Sequence, residues 1–176
     1  METEYEIKIL NINVKEIKKR LKKVGARFIA ERHQKRFTFN LNPPDRHKWM
    51  RLRDDGEKVT LAVKEITQKG IEGTKEVEVI VNDFEKTRFI LKELGFKPKN
   101  YQENKRISYA LGNVKIEIDF WPMLTPYLEI EGETKRAVEK TIEKLGFNKQ
   151  DITDLDTVDI YKQQGIDVLN IKHLKF

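Results

Sequence analysis

Strict alternation of polar and apolar side chains over short runs is the pattern this chain repeats most. Glu4-Tyr5-Glu6-Ile7-Lys8-Ile9 is the first such run. Successive strand side chains face opposite ways, so Glu4, Glu6 and Lys8 share one face while Tyr5, Ile7 and Ile9 share the other. Charged alternation returns in Arg51-Leu52-Arg53, Glu76-Val77-Glu78-Val79, Lys115-Ile116-Glu117-Ile118-Asp119 and Leu128-Glu129-Ile130-Glu131. A sheet of such strands has one apolar face to be covered by helices and a second face crowded with both signs of charge. If it closes on itself, the charges line a polar lumen.

Between the strands, the apolar period switches to that of helices. Asn13 caps a helix carrying Val14, Ile17, Leu21 and Val24, and Gly25 ends it. Arg36-Phe37-Thr38-Phe39-Asn40-Leu41 reads as a strand broken by Asn42-Pro43-Pro44-Asp45. Trp49 to Arg53 runs into the turn signal Asp54-Asp55-Gly56-Glu57, with Val59 to Glu65 as the return strand. A strand from Glu76 to Val81 leads into a second helix, capped by Asn82 or Asp83, with Phe84, Ile90, Leu91 and Leu94 as its core residues. Strands around Lys105 to Leu111 and Val114 to Trp121 flank the turn Gly112-Asn113. After the loop Pro122 to Pro126 come a strand from Tyr127 to Glu133 and a third helix ending at Leu145.

The two halves of this series match. Arg36-Phe-Thr-Phe-Asn-Leu and Arg106-Ile-Ser-Tyr-Ala-Leu are 70 positions apart, as are the helix stops Gly25 and Gly95. Each half reads strand, helix, strand, strand, strand. The fold expected is therefore α+β: an eight-stranded closed antiparallel barrel with a twofold-like internal repeat and helices outside. Residues 1–176 are read as one domain, with 162–176 as a C-terminal extension packed outside.

Composition sharpens this picture. Charged residues make up 36% of the 176, yet 35 basic against 29 acidic leave a net charge of only +6. Mixed charge suits a charge-lined cavity better than a nucleic-acid stripe, where basic and aromatic residues would interleave on an exposed face. Nucleic acid is thus disfavoured as a partner, although the sequence pI is 9.3. There is no cysteine, which excludes disulfides, thiolate metal sites and cysteine nucleophiles. No run approaches the roughly 18 apolar residues of a membrane span, and no signal core opens the chain, so a cytoplasmic protein is expected. His33, His47 and His173 share no spacing that suggests a metal site.

If the polar faces point inward, Lys8, Arg51, Arg53, Lys64 and Arg106 gather more cations than simple burial tolerates. A polyphosphate satisfies them, because guanidiniums grip phosphate oxygens bidentately and lysines act as point charges. Glu4, Glu6, Asp119, Glu129 and Glu131 would repel that ligand unless a divalent cation lay between. Hard oxygen donors without His or Cys suit Mg²⁺ or Mn²⁺. Trp49 and Trp121 are candidates to stack a base at a tunnel mouth, or to pack as core or rim.

The ordered series Glu4-x-Glu6-x-Lys8, Arg51-x-Arg53, Lys64, Glu76-x-Glu78, Arg106, Asp119 and Glu129-x-Glu131 resembles the CYTH family, the triphosphate tunnel metalloenzymes, over roughly residues 1 to 161. That resemblance implies an eight-stranded tunnel binding a triphosphate-containing small molecule. It implies Lys8, Arg51, Arg53, Lys64 and Arg106 as phosphate-binding cations, and Glu4, Glu6, Glu129, Glu131 and Asp119 as metal-side acids, with catalytic roles for Glu4, Glu6, Lys8 and Arg106. Glu76, Glu78 and Glu117 are further acidic tunnel candidates. Many members carry Lys-x-Arg on the sixth strand; here Asn104-Lys105-Arg106 puts Asn in place of that lysine. Lys105 is retained among the triphosphate-binding candidates, although alternation puts it on the face opposite Arg106. The expected activity is metal-dependent hydrolysis of inorganic, thiamine or nucleoside triphosphate. The rivals are an adenylyl cyclase, a non-catalytic polyphosphate- or nucleotide-binding module, and a purely structural ion-pair network. A homodimer is left open.

Overall fold

The alternating runs close into a ring. The structure, a computed structural model, describes all of residues 1–176. In chain order the elements are β1 (Glu2–Ile9), α1 (Val14–Lys23), β2 (Arg27–Asp45), β3 (Lys48–Asp54), β4 (Val59–Ile66), β5 (Thr74–Val81), α2 (Phe84–Glu93) and β6 (Pro98–Leu111). β7 (Val114–Phe120), β8 (Tyr127–Gly132), α3 (Lys135–Lys144), α4 (Thr157–Gln163) and β9 (His173–Leu174) follow. The sheet order is β2-β3-β4-β5-β1-β8-β7-β6, and pairing of β6 with β2 closes an eight-stranded antiparallel barrel. All eight contacts around the ring are antiparallel.

The apolar halves of the alternation point outward, under the helices. Ile7, Ile9, Ile116, Ile118, Leu128 and Ile130 meet Ile17 and Leu21 of α1 and Val138 and Ile142 of α3 in the largest core cluster. Each such side chain, taken fully out of water, contributes about 1.5–3 kcal/mol. A smaller cluster of Phe39, Met50, Leu52, Phe84 and Leu91 lies under α2. Asn13 and Asp83 cap α1 and α2 as side-chain acceptors of first-turn N–H groups, which fixes where both helices begin.

Three expectations need correction. β2 begins at Arg27 rather than Arg36, and β6 at Pro98 rather than near Lys105, because the two strands run along each other from Arg27↔Ala110 to Phe39↔Pro98. Their outer ends lack regular alternation, with Phe28-Ile29-Ala30 in a row and then Glu31-Arg32-His33-Gln34-Lys35 on β2, so periodicity does not mark them. Asn42-Pro43-Pro44-Asp45 does not end β2; the chain stays extended to Asp45, and it is the ladder to β3 that lapses between Asn40 and Asp45. On α2, Phe84 and Leu91 are buried but Ile90 and Leu94 are 56% and 68% exposed, since a single helix covers this side of the barrel and only one stripe of it touches the sheet.

The chain after α3 does more than pack outside. Ile160, Tyr161, Val168 and Leu174 form a second core with Trp121 and Tyr127, and Tyr161 donates a hydrogen bond to the Pro122 carbonyl at 2.7 Å. β9 pairs with Tyr101 and Gln102 of β6, beyond the end of the β7 ladder. Asp154, Asp156, Thr157, Val158 and Leu169 then line one end of the tunnel. Asp154 also accepts from the Gly70 N–H at 2.7 Å, tying this segment to the loop between β4 and β5. No helix is long and apolar enough to cross a membrane.

Candidate active site

The polar halves of the alternation point into the barrel and surround a cavity of about 260 Å³. Register decides which charges meet. β1 lies between β5 and β8, so Lys8 stands opposite Glu129 and Glu6 opposite Glu131. Lys64 of β4 stands opposite Glu76 of β5. Lys64 Nζ lies 2.7 Å from Glu4, 3.4 Å from Glu76 and 3.9 Å from Glu6, while Lys8 lies 3.7 Å from Glu6 and 3.6 Å from Glu129. Arg51 donates to Glu76 at 2.8 Å and to Glu78 at 3.1 Å, and Arg53 donates to Glu78 at 3.1 Å.

Arg106 anchors the opposite wall. Its guanidinium holds Asp119 through Nε at 2.7 Å and Nη2 at 2.6 Å, reaches Glu129 at 3.1 Å, and bonds Glu117 as well. Asp119 is completely buried behind it and also accepts from the Asn104 amide at 3.1 Å. Asp119 and Glu117 do not line the cavity. Expected on the metal side, Asp119 instead orients Arg106, because both its oxygens are already engaged. Lys105 is also corrected: it faces outward, with its ammonium 4.6 Å from the centre of the Phe176 ring, and leaves the phosphate-binding set.

Burial and neighbours set the protonation of these groups. Burial opposes the charged forms of Glu6 and Glu129, yet Lys64 and Lys8 around the first, and Arg106 and Lys8 around the second, hold both carboxyls below their usual range. Burial likewise works against Lys8, but Glu6 and Glu129 keep its ammonium charged well above the usual value. Glu4 goes the other way. Burial pushes it up to about 8, helped by a hydrogen bond with Glu76 and by the charges of Glu6 and Glu76, against the pull of Lys64. The same bond, with Arg51 and Lys64, brings Glu76 down to about 2 despite burial. Burial thus dominates at Glu4, whereas the neighbouring cations dominate at Glu76. Although Lys64 is close, Glu4 Oε2 is a buried oxygen that accepts no well-directed hydrogen bond.

Arg36 was not among the expected site residues. It lines the cavity from β2, buried, with its guanidinium 4.8 Å from the centre of the Trp121 ring. Two signals for it exist in the sequence: Arg36 alternates with Phe37 and Phe39, and it stands 70 positions before Arg106 in the internal repeat. Lys115 also lines the cavity and pairs with Glu131 at 2.8 Å near solvent. Trp49 and Trp121 both line the cavity, and Trp121 also belongs to the second core cluster, with its ring against Arg36.

No three carboxylate or imidazole side chains converge into a ready-made metal cage. The available donors are single carboxylates on neighbouring strands, Glu4, Glu6, Glu129 and Glu131, all on the cavity wall. Such a set fits a hard divalent cation held through one or two carboxylates and completed by phosphate oxygens and water.

An antiparallel eight-stranded tunnel with cations facing acids across a closed cavity defines a class of protein by its architecture alone. The CYTH domain family matches residues 2–156, and the chain belongs to that family. A protein of Methanocaldococcus jannaschii, provisionally named an adenylate cyclase, is 30% identical over 141 residues, covering 78% of this chain and 81% of that protein. A solved structure from Pyrococcus horikoshii superposes with a TM-score of 0.78 at 27% identity, covering 89% of this chain and 98% of that one. A Hippeastrum protein, provisionally named an adenylyl cyclase and described as having a dominant triphosphatase activity, shares the fold with a TM-score of 0.58 at 14% identity, covering 96% of this chain and 99% of that one.

Proposed function

We propose that the protein is a divalent-metal-dependent phosphohydrolase acting on a triphosphate-containing small molecule. One observation carries this reading: Lys8, Arg51, Arg53, Lys64 and Arg106 come from four strands yet direct their charges to a single enclosed cavity, where a surface ion-pair network would spread them outside. Lysines and guanidiniums arranged around a cavity match the oxygens of a phosphate chain.

In this mechanism the triphosphate lies along the tunnel, its oxygens held by Arg51, Arg53, Lys8 and Lys64, with Arg106 pinned in place by Asp119 and Glu117. Glu4, Glu6, Glu129 and Glu131 are the carboxylates that would hold Mg²⁺ or Mn²⁺, which when bound supplies charge neutralisation at the phosphate oxygens. Water attacks the terminal phosphorus, the bond to the bridging oxygen breaks, and orthophosphate leaves from the shortened chain. Fixed guanidiniums stabilise the charge spread over the transferring group without reorganising during the step. No side-chain nucleophile is required.

A cyclase reading has its own support in the tunnel end where Trp49, Val158 and Leu169 offer apolar surface to an organic group, and in the name given to the M. jannaschii relative. In that reaction the ribose 3′-hydroxyl attacks the α-phosphorus and pyrophosphate leaves. Incubating the purified protein with ATP, thiamine triphosphate and tripolyphosphate in each metal separates the two. Orthophosphate release supports the hydrolase; cyclic nucleotide with pyrophosphate replaces it by the cyclase; binding without turnover refutes both.

A further inference from the structure

Among the tunnel cations Lys8, Arg36, Arg51, Arg53, Lys64 and Arg106, only Arg36 has no carboxylate in contact. Each of the others has at least one. Arg36 is 6% exposed. Its Nη2 donates to two neutral amides, Gln34 Oε1 at 2.8 Å and Asn104 Oδ1, and its Nε donates to nothing. Burial and the nearby charges of Arg51, Arg53 and Arg106 hold its proton affinity well below the usual range, with only Asp119 acting the other way. A buried guanidinium left in that state destabilises the protein that carries it. Such a group persists where an anion completes it.

Asn104 explains why the cation stands on β2. The amide bridges two partners, accepting from Arg36 and donating to Asp119 at 3.1 Å. A lysine here would place an ammonium against the Arg36 guanidinium, so the neutral amide and the arginine are a matched pair that keeps one cation at this point of the wall. β2 and β6 run side by side with Gln34 opposite Asn104, which brings both positions to the same height in the tunnel.

We propose that Arg36 is a direct phosphate-binding residue, supplying from β2 the positive charge that Asn104 does not supply from β6, with its guanidinium, which lines the cavity, directed to a phosphate oxygen of the bound chain. This rests on the reading that the tunnel binds a triphosphate. It adds that Arg36, a residue outside the series Lys8, Arg51, Arg53, Lys64 and Arg106, grips the substrate.

The test is tripolyphosphate binding by titration calorimetry in chelator, alongside melting without ligand, for wild type, R36Q and R36Q/N104K. R36Q is expected to melt higher than wild type, having lost an unpaired buried charge, and to bind tripolyphosphate roughly 10- to 100-fold more weakly, as loss of a charge-assisted hydrogen bond dictates. R36Q/N104K, with the cation returned to β6 beside Asp119, is expected to recover most of the lost affinity. Equal binding by wild type and R36Q overturns the inference alone. So does a fall in melting temperature in R36Q that N104K leaves unrescued in affinity, since Arg36 is then a structural residue. A wild-type protein that binds no tripolyphosphate either in chelator or with Mg²⁺ or Mn²⁺ overturns the functional reading, and this inference with it.

Discussion

Arg106 and Arg36 occupy equivalent places in the two halves of the repeat, on neighbouring strands, and their surroundings are opposite. β6 lies beside β7, which sets Asp119 against Arg106 and brings Glu117 and then Glu129 of β8 within reach. β2 lies beside β3, which sets Arg53 opposite Arg36 and Arg51 opposite Thr38. Charge on Arg106 is reinforced well above its ordinary value, although burial opposes it; on Arg36 it is undercut. The repeat duplicates a backbone, and the sequence then makes its halves differ: Arg106 is surrounded by acids from β7 and β8, whereas Arg36 on β2 faces Arg53 and has no carboxylate in contact.

The contrast can be broken most severely at Arg106. Arg106→Ala leaves Asp119, Glu117 and Glu129 buried without their partner and is expected to cost roughly 3–5 kcal/mol in urea unfolding, the scale for removing one member of a buried ion network. On the other wall, Arg51→Gln removes a phosphate contact while Glu76 keeps Lys64, so the fold survives. Orthophosphate release should fall by about 10²–10³-fold, as when one preorganised transition-state donor is deleted.

A subtler substitution makes the two arginines alike. Gln34 already accepts from Arg36 at 2.8 Å, so Gln34→Glu gives Arg36 the carboxylate it lacks. Stability without ligand should rise by about 1 kcal/mol and tripolyphosphate affinity fall roughly tenfold, read by urea unfolding and calorimetry.

Acidity offers a smaller perturbation of the acid wall. Glu4 is raised from 4.5 to about 8 in the fold, so its contribution to stability is complete below about pH 4.5 and is lost as pH rises through 8. Glu6, Glu76 and Glu129 are lowered, and theirs is lost only as pH falls below that range. Metal-free, ligand-free protein should therefore lose melting temperature steadily between about pH 5 and 8, and Glu4→Gln should flatten that slope. The smallest effect is expected at Lys105, whose replacement by alanine on the outer face should leave affinity unchanged and stability within about 0.5 kcal/mol.

Much of this was legible before any coordinates. The alternation in Glu4 to Ile9 and Lys115 to Asp119 determines which face each charge occupies, and the 70-residue repeat determines the strand count and closure. The long outer ends of β2 and β6 were hidden because Glu31-Arg32-His33 and Lys99-Asn100 carry polar residues on both faces, and their pairing depends on a strand far away in sequence. The exposure of Ile90 and Leu94 was hidden because helical spacing shows a stripe without showing how wide the covering contact is. Arg36 was hidden for a different reason. Its role depends on the absence of a carboxylate around it, and absence is a property of register: only the pairing of β2 with β3 and β6 shows that its neighbours are Arg53, Gln102 and Asn104 rather than Asp119. Asp119 was misplaced by the same logic in reverse, since alternation puts it on the tunnel face but cannot show that Arg106 covers it.

Everything rests on the enclosed charges being a receptor for a phosphate chain and a divalent cation. Orthophosphate release from tripolyphosphate, followed with Mg²⁺ or Mn²⁺ and then with excess chelator, tests that most directly. The account predicts saturable turnover with metal, abolished by chelator and strongly reduced in the Arg51→Gln protein; tripolyphosphate that is neither bound nor cleaved in either metal would contradict it.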